Sequence, residues 1–275
     1  MSIVVENVSF SYGKKNPFGS MVLDRVNLKI ESGEYLIIIG EVGSGKTTLI
    51  KHFNGLLKPL EGIVMVDGHK ATSAHARKLV GMLFQYPQYQ FFGKTVFDDV
   101  AFSVSNSGID DKQLHEKVIE SLKMVGLDEN IALRSPFTLS NGQMKLAALA
   151  SILAANPKYI ILDEPFTGLD LINKKKLFKA LAKLHDTGIT IIIATHEIYY
   201  ELPINSRTIL MGMGKIIFEG NLEEYALSKH SQLSDVTLLM RELRRRGVDI
   251  SENIFDVETA FEEIMNIKKV SIEHE

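Results

Sequence analysis

The feature that most constrains this chain is an apolar run, Tyr35-Leu36-Ile37-Ile38-Ile39, followed at once by Gly40-Glu41-Val42-Gly43-Ser44-Gly45-Lys46-Thr47. A continuous β-prone run of this length reads as a strand buried on both faces. Residues 47–53 read as a helix that Asn54-Gly55 stops. A glycine-rich turn between a strand and a helix lets backbone N–H groups point inward around phosphate oxygens, and the helix N-terminus adds favourable partial charge. In that context the spacing predicts a phosphate cradle made of Gly40, Glu41, Val42, Gly43, Ser44, Gly45, Lys46, Thr47 and Thr48. Lys46 is expected to reach the β- and γ-phosphates of a nucleotide, and the Thr47 hydroxyl to ligate Mg²⁺.

The rest of the pattern builds a sheet around that loop. Residues 3–10 and 21–30 alternate apolar and polar, with turn formers at 12–20 between them, as an antiparallel edge unit does. Residues 159–162 and 189–194 are short apolar strands separated by a helix around 174–185, the alternation expected of a parallel sheet covered by helices. Further helices are predicted at residues 143–155 and after Asp110 or Asp111, where Leu114, Val118, Leu122 and Val125 follow helical spacing up to Gly126. The fold class is α/β. After Glu219-Gly220 the pattern changes: Val236, Leu239, Met240 and Leu243 share a helical face, Arg244 to Arg246 fill its last turn, and Gly247 ends it. A final helix is expected after Asp256. These signals divide the chain into residues 1–222 and 223–275.

Composition excludes several alternatives. With 45% apolar and 24% charged residues and a net charge of −3, the 275-residue chain has the make-up of an ordinary globular protein, and no nucleic-acid partner is expected. No cysteine is present, so disulfides and thiolate chemistry are absent. The histidines form no metal-ligand spacing. The opening MSIVVENVSF lacks the features of a secretory signal, and no apolar run approaches the roughly 18 residues of a membrane span. The chain is expected inside the cell, with any membrane role supplied through a partner.

Asp163 and Glu164 follow the apolar run 159–162, at the carboxyl end of a predicted strand, where open α/β sheets place ligands. Asp163 is suited to hold Mg²⁺ through water, and Glu164 to orient and deprotonate an attacking water. A glutamate directly after the metal aspartate argues for hydrolysis over phosphoryl transfer to a bound substrate.

With these residues in place, residues 1–222 resemble the ATP-binding-cassette ATPases. Leu83-Phe84-Gln85 is similar to the Q-loop, Leu139-Ser140-Asn141-Gly142-Gln143 to the LSGGQ signature, Phe166-Thr167-Gly168-Leu169-Asp170 to the D-loop, and Ala194-Thr195-His196-Glu197 to the switch-histidine motif. The resemblance implies a P-loop cassette with a mostly parallel sheet core, an antiparallel β subdomain and a helical subdomain. It implies ATP and Mg²⁺ as cofactors and a head-to-tail dimer in which Ser140, Gly142, Gln143 and Asp170 serve the partner's nucleotide. Gln85 then senses Mg²⁺ and the attacking water, His196 donates to the γ-phosphate, and Tyr12 stacks on adenine.

A closer resemblance is to energy-coupling-factor ATPases, which drive vitamin and metal-ion importers. It rests on the aromatic stretch Gln85-Tyr86-Pro87-Gln88-Tyr89-Gln90-Phe91-Phe92 and on the tail, where residues 236–247 and the 255–264 helix look like the small helical extension by which those ATPases contact one another. The aromatics are expected to line a groove for a helix of a membrane-embedded coupling subunit. A substrate-binding membrane subunit completes the implied assembly, on the cytoplasmic face of the cell membrane. Two departures stand out: Asn141 replaces the usual signature glycine, and Met144-Lys145-Leu146 lacks the arginine often found there. Asparagine tolerates left-handed backbone geometry, so the loop is expected to survive, with one composite site of a heterodimer impaired. A heterodimer is therefore favoured over a homodimer. The alternatives are a conventional cassette importer or exporter subunit and a non-transport cassette ATPase. A P-loop kinase would leave the LSNGQ motif and His196 unexplained.

Overall fold

Alternating apolar residues in the first thirty positions form the antiparallel pair β1 (Ser2–Phe10) and β2 (Leu23–Glu31), with Ile3, Val5, Val8, Leu23, Val26, Leu28 and Ile30 buried. The computed structural model describes residues 1–13, 21–105, 108–199, 201–228, 235–251, 254 and 257–272. Most of the predicted turn at 12–20 lies outside the described residues, as do Phe255 and Asp256. The chain divides into two compact units, Met1–Glu197 with Arg207–Glu219, and Ile198–Ser206 with Gly220–Glu275.

The first unit holds two sheets. β3 (Tyr35–Ile39) leads through the glycine loop into α1 (Lys46–Phe53), and β4 (Glu61–Val66) and β5 (His69–Lys70) complete an antiparallel sheet of order β2-β1-β4-β5. After α2 (Ala74–Leu79) come β6 (Val80–Leu83), α3 (Val96–Phe102), α4 (Asp111–Met124), α5 (Asn141–Ala154), β7 (Tyr159–Asp163), α6 (Leu171–Asp186), β8 (Thr190–Thr195), β9 (Arg207–Gly212) and β10 (Lys215–Asn221). The second sheet has order β10-β9-β3-β8-β7-β6, with β9, β3, β8, β7 and β6 parallel. β3, β7 and β8 are buried along their whole length, which is why they read as unbroken apolar runs. One core cluster spans both sheets and includes Ile3, Leu23, Leu36, Leu49, Phe53 and Ile161.

Caps set the helix starts. Asp110 and Gln113 form a reciprocal capping box on α4, as do Ser140 and Gln143 on α5. α5 and α6 begin two or three residues earlier than the periodicity predicts, because Ser140 and Asp170 already cap them. α3 and α4 pack on α5.

In the second unit α7 (Leu222–Leu227) buries Leu222, Tyr225 and Ala226, with Leu222 N–H donating to Ser206 O at 3.0 Å. α8 (Asp235–Arg245) and α9 (Val257–Ile272) enclose a small cluster of Met240, Ile250, Ile254 and Ala260. Arg245 and Arg246 pair with Glu242 at 2.9 and 2.8 Å, and Arg244 pairs with Asp249 at 3.3 Å. Those three arginines are thus answered by acids of their own unit.

Candidate nucleotide site

Strand register gathers the site. Ile39 pairs with Thr195 and Asp163 with Ala194, so β3, β7 and β8 end together. Leu83 of β6 pairs with Leu162, which leaves Gln85 two residues past its strand. The loop after β3, Gln85, the Asp163-Glu164 pair and His196 therefore share one carboxyl edge of a parallel sheet, the place where such sheets bind ligands.

The cradle turns into α1 through Gly45, whose φ of 106° is open to glycine, and a Cβ there would stand 2.8 Å from the Val22 carbonyl oxygen. Glu41, Val42 and Gly43 are exposed at the loop tip, whereas Ser44, Gly45, Lys46 and Thr48 are buried. Lys46 Nζ donates to Gly40 O at 2.6 Å and Glu41 O at 3.1 Å, and stands 3.9 Å from Glu164 Oε1. Burial pushes this ammonium below the ordinary lysine range, and the charges of Glu164 and Asp163 act against that shift.

The Thr47 hydroxyl donates to Asp163 Oδ1 at 3.0 Å. Burial raises the Asp163 carboxyl above its usual range, and the Thr47 hydrogen bond opposes the rise. Hydroxyl and carboxylate oxygens side by side are hard donors of the kind Mg²⁺ takes. Among the described residues no three His, Cys, Asp or Glu side chains come together as a metal set.

Glu164 has a left-handed backbone, φ 46°, which costs about 1–3 kcal/mol in a non-glycine residue. Its N–H donates to Ala194 O at 2.8 Å. Its Oε2 is buried and accepts no hydrogen bond, although His196 Nδ1 is only 2.9 Å away; the approach is close but not aligned for donation. The Tyr12 hydroxyl lies 3.1 Å from Thr48 Oγ1 while the residue is 62% exposed, leaving an anchored ring beside the loop.

The remaining predicted residues stand elsewhere. Ser140 is exposed at the start of α5 and exchanges hydrogen bonds with Gln143, at 3.3 and 3.2 Å. Gly142 packs so close to α6 that a Cβ would meet Asn173 Cγ at 2.3 Å. Asp170 caps α6 through Asn173 N at 2.8 Å. The expected need for left-handed tolerance at Asn141 does not arise: the residue is the first of α5 and is not among the positive-φ positions. Its Nδ2 donates instead to Gly168 O at 3.4 Å. The aromatic segment splits, since Tyr89 is 83% and Phe92 63% exposed while Phe91 is 8% exposed and belongs to the interior.

Two residues carry no signal in the sequence. Lys145, 1% exposed, donates to the carbonyls of Glu164, Pro165 and Thr167 at 3.3, 2.7 and 2.7 Å, and burial pushes its ammonium down to about 8 against the pull of Glu164. Asp99 is buried, accepts from Phe92 N and Gly93 N at 3.0 Å each, and leaves Oδ2 without a hydrogen bond. It lines a cavity of about 220 Å³ with Gln90, Phe92, Phe102 and Arg77.

A parallel sheet that carries a P-loop, an acidic pair and a histidine on one edge defines a P-loop nucleotide-binding cassette. The chain belongs to the ABC transporter family, whose sequence model matches residues 23–167. The energy-coupling factor transporter ATP-binding protein EcfA2 of Clostridium perfringens is 40% identical over 280 residues, covering 97% of this chain and 98% of that protein. The dimeric post-hydrolysis structure of the ATP-binding cassette MJ0796 bound to ADP and Pi matches with a TM-score of 0.73 at 30% identity, over 80% of this chain and 98% of that one. CbiO1 from Clostridium perfringens, part of the ABC transporter complex cbiONQ, matches with a TM-score of 0.71 at 32% identity, over 89% and 94%. The protein is thus an ATP-binding, ATP-hydrolysing subunit of an ABC transporter.

Proposed function

We propose that this subunit drives substrate import through a transporter of the energy-coupling-factor type, peripheral to the cytoplasmic face of the membrane. ATP and Mg²⁺ are held by Gly40–Thr48, Asp163 and Gln85, with Tyr12 against adenine. Mg²⁺, when bound, would neutralise negative charge on the phosphates. Glu164 takes the proton of the attacking water, and His196 donates to the γ-phosphate. The observation that carries this reading is the buried Glu164 Oε2 left without a donor at the sheet edge, between the P-loop lysine and His196.

A second cassette completes the site by presenting its own Ser140, Gly142, Gln143 and Asp170 counterparts to this chain's ATP. The exposure of Ser140 and Asn141 at a helix N-terminus supports their facing another subunit's nucleotide. Asn141, in place of the usual glycine, favours a heterodimer. The exposed Phe92 and Phe102, stacked edge to face at 4.6 Å beside the Asp99 cavity, are read as the seat of a helix from the coupling subunit. Residues 223–275 are read as a dimer-contact extension, on which Leu238, Leu239, Val257 and Phe261 are exposed.

Affinity purification of the tagged chain from its native membranes tests the assignment. Recovery of a second cassette with a multi-span membrane protein lacking a conventional substrate-translocating pair supports it. Recovery with two copies of a conventional permease overturns the energy-coupling reading and leaves the ATPase assignment intact.

A further inference from the structure

We propose that Lys145 is a positioning residue for hydrolysis: from α5 its buried ammonium holds the turn 164–167 in the backbone conformation that aims the Glu164 carboxylate into the nucleotide site. The inference rests on the reading of Glu164 as the base. Three ammonium protons meet three carbonyls, those of Glu164, Pro165 and Thr167, so every donor of this lysine is taken by one short stretch of chain. That stretch opens with Glu164 in the left-handed region, a conformation that persists only where the surroundings over-determine it.

The turn has neutral holds as well, among them the buried Phe166 ring, which stacks on Phe178 at 4.0 Å. Glu164 N–H donates to Ala194 O at 2.8 Å, and Thr167 N–H reaches Glu164 O at only 3.4 Å. Hydrogen bonds from an ionised donor are roughly twice as strong as neutral ones. Burying a lysine is itself unfavourable, and here the compensation comes from carbonyls of the catalytic turn. Asn141 Nδ2 adds a fourth tie, to Gly168 O, from the same helix. The signature end of α5 and the base are thereby fastened together within one chain, and a shift at Ser140 is felt at Glu164.

The test compares the intact chain, assembled with the cassette it pairs with, carrying Lys145→Met, Glu164→Gln or both. Lys145→Met keeps the length and apolar stem and removes the three donors. ATP affinity by titration calorimetry is expected to stay within about threefold, while kcat falls about ten- to hundredfold, the scale of a misplaced catalytic group. In the Glu164→Gln background the same substitution is expected to cause no further loss, because Lys145 acts through Glu164. Unchanged kcat in Lys145→Met, a rise in KM alone, or an equal loss in both backgrounds overturns the proposal. Should Lys145→Met fail to fold, Lys145→Leu, which also removes all three donors, undergoes the same paired comparison with the same criteria. A wild-type rate in Glu164→Gln alone refutes the base assignment and the inference with it, which separates that failure from failure of Lys145 alone.

Discussion

His196 Nδ1 stands 2.9 Å from Glu164 Oε2, joining the residues that directly follow β7 and β8. Each side chain stands one residue past a strand buried along its whole length, so the register of β7 and β8 brings the two together. On the proposed role of His196, a donor positioned in this way costs little reorganisation when charge develops on the γ-phosphate.

His196→Ala therefore removes one prepositioned donor from the transition state. Turnover is expected to fall by about 10² to 10³, with ATP affinity little changed. Steady-state ATPase rates and titration calorimetry of the assembled dimer check both halves. A parallel loss of affinity and rate would assign the histidine to ground-state binding instead.

The split in the aromatic segment separates packing from docking. Phe91→Ala empties an interior position and is expected to cost about 3–5 kcal/mol of stability, read as a lower Tm. Phe92→Ala changes an exposed ring, so stability is expected to move by no more than about 1 kcal/mol while copurification with the coupling subunit weakens. Intact assembly in Phe92→Ala, with normal folding, would remove this face from the docking site.

What was legible in the sequence follows from burial. β3, β7 and β8 are buried on both faces and stand out as apolar runs, and the loop after β3 announces itself by glycine spacing. β4 starts with the exposed Glu61 and Gly62, and β6 has four residues with a glycine inside, so neither carries a readable period. The cap Asp110 marks the start of α4, whereas the periodicity passes over the cap Ser140 and starts α5 at residue 143. Lys145 was illegible because its partners lie 19 to 22 residues away across a turn, and a lysine in a helix reads as a solvated face. The backbone of Asn141 was misread, since the local pattern allowed a left-handed turn where the chain already begins a helix.

A truncation tests the dimer-contact reading of the tail. A cut at residue 223 would sever α7, whose Leu222, Tyr225 and Ala226 are buried, so the informative deletion removes residues 229–275. The shortened chain is expected to fold and bind ATP, with weaker pairing to its partner cassette by analytical ultracentrifugation. The Met240, Ile250, Ile254 and Ala260 cluster lies within the deleted segment. Equal dimer affinity before and after truncation would contradict a dimer-contact role.

The central claim is that Glu164, aimed into the site from a strained position beside Lys46 and His196, activates the attacking water. Single-turnover hydrolysis of bound ATP by the assembled transporter carrying Glu164→Gln measures this directly. Removal of the base is expected to leave ATP bound and to slow its cleavage by about 10² to 10⁴. Cleavage at the wild-type rate with ATP bound would contradict it.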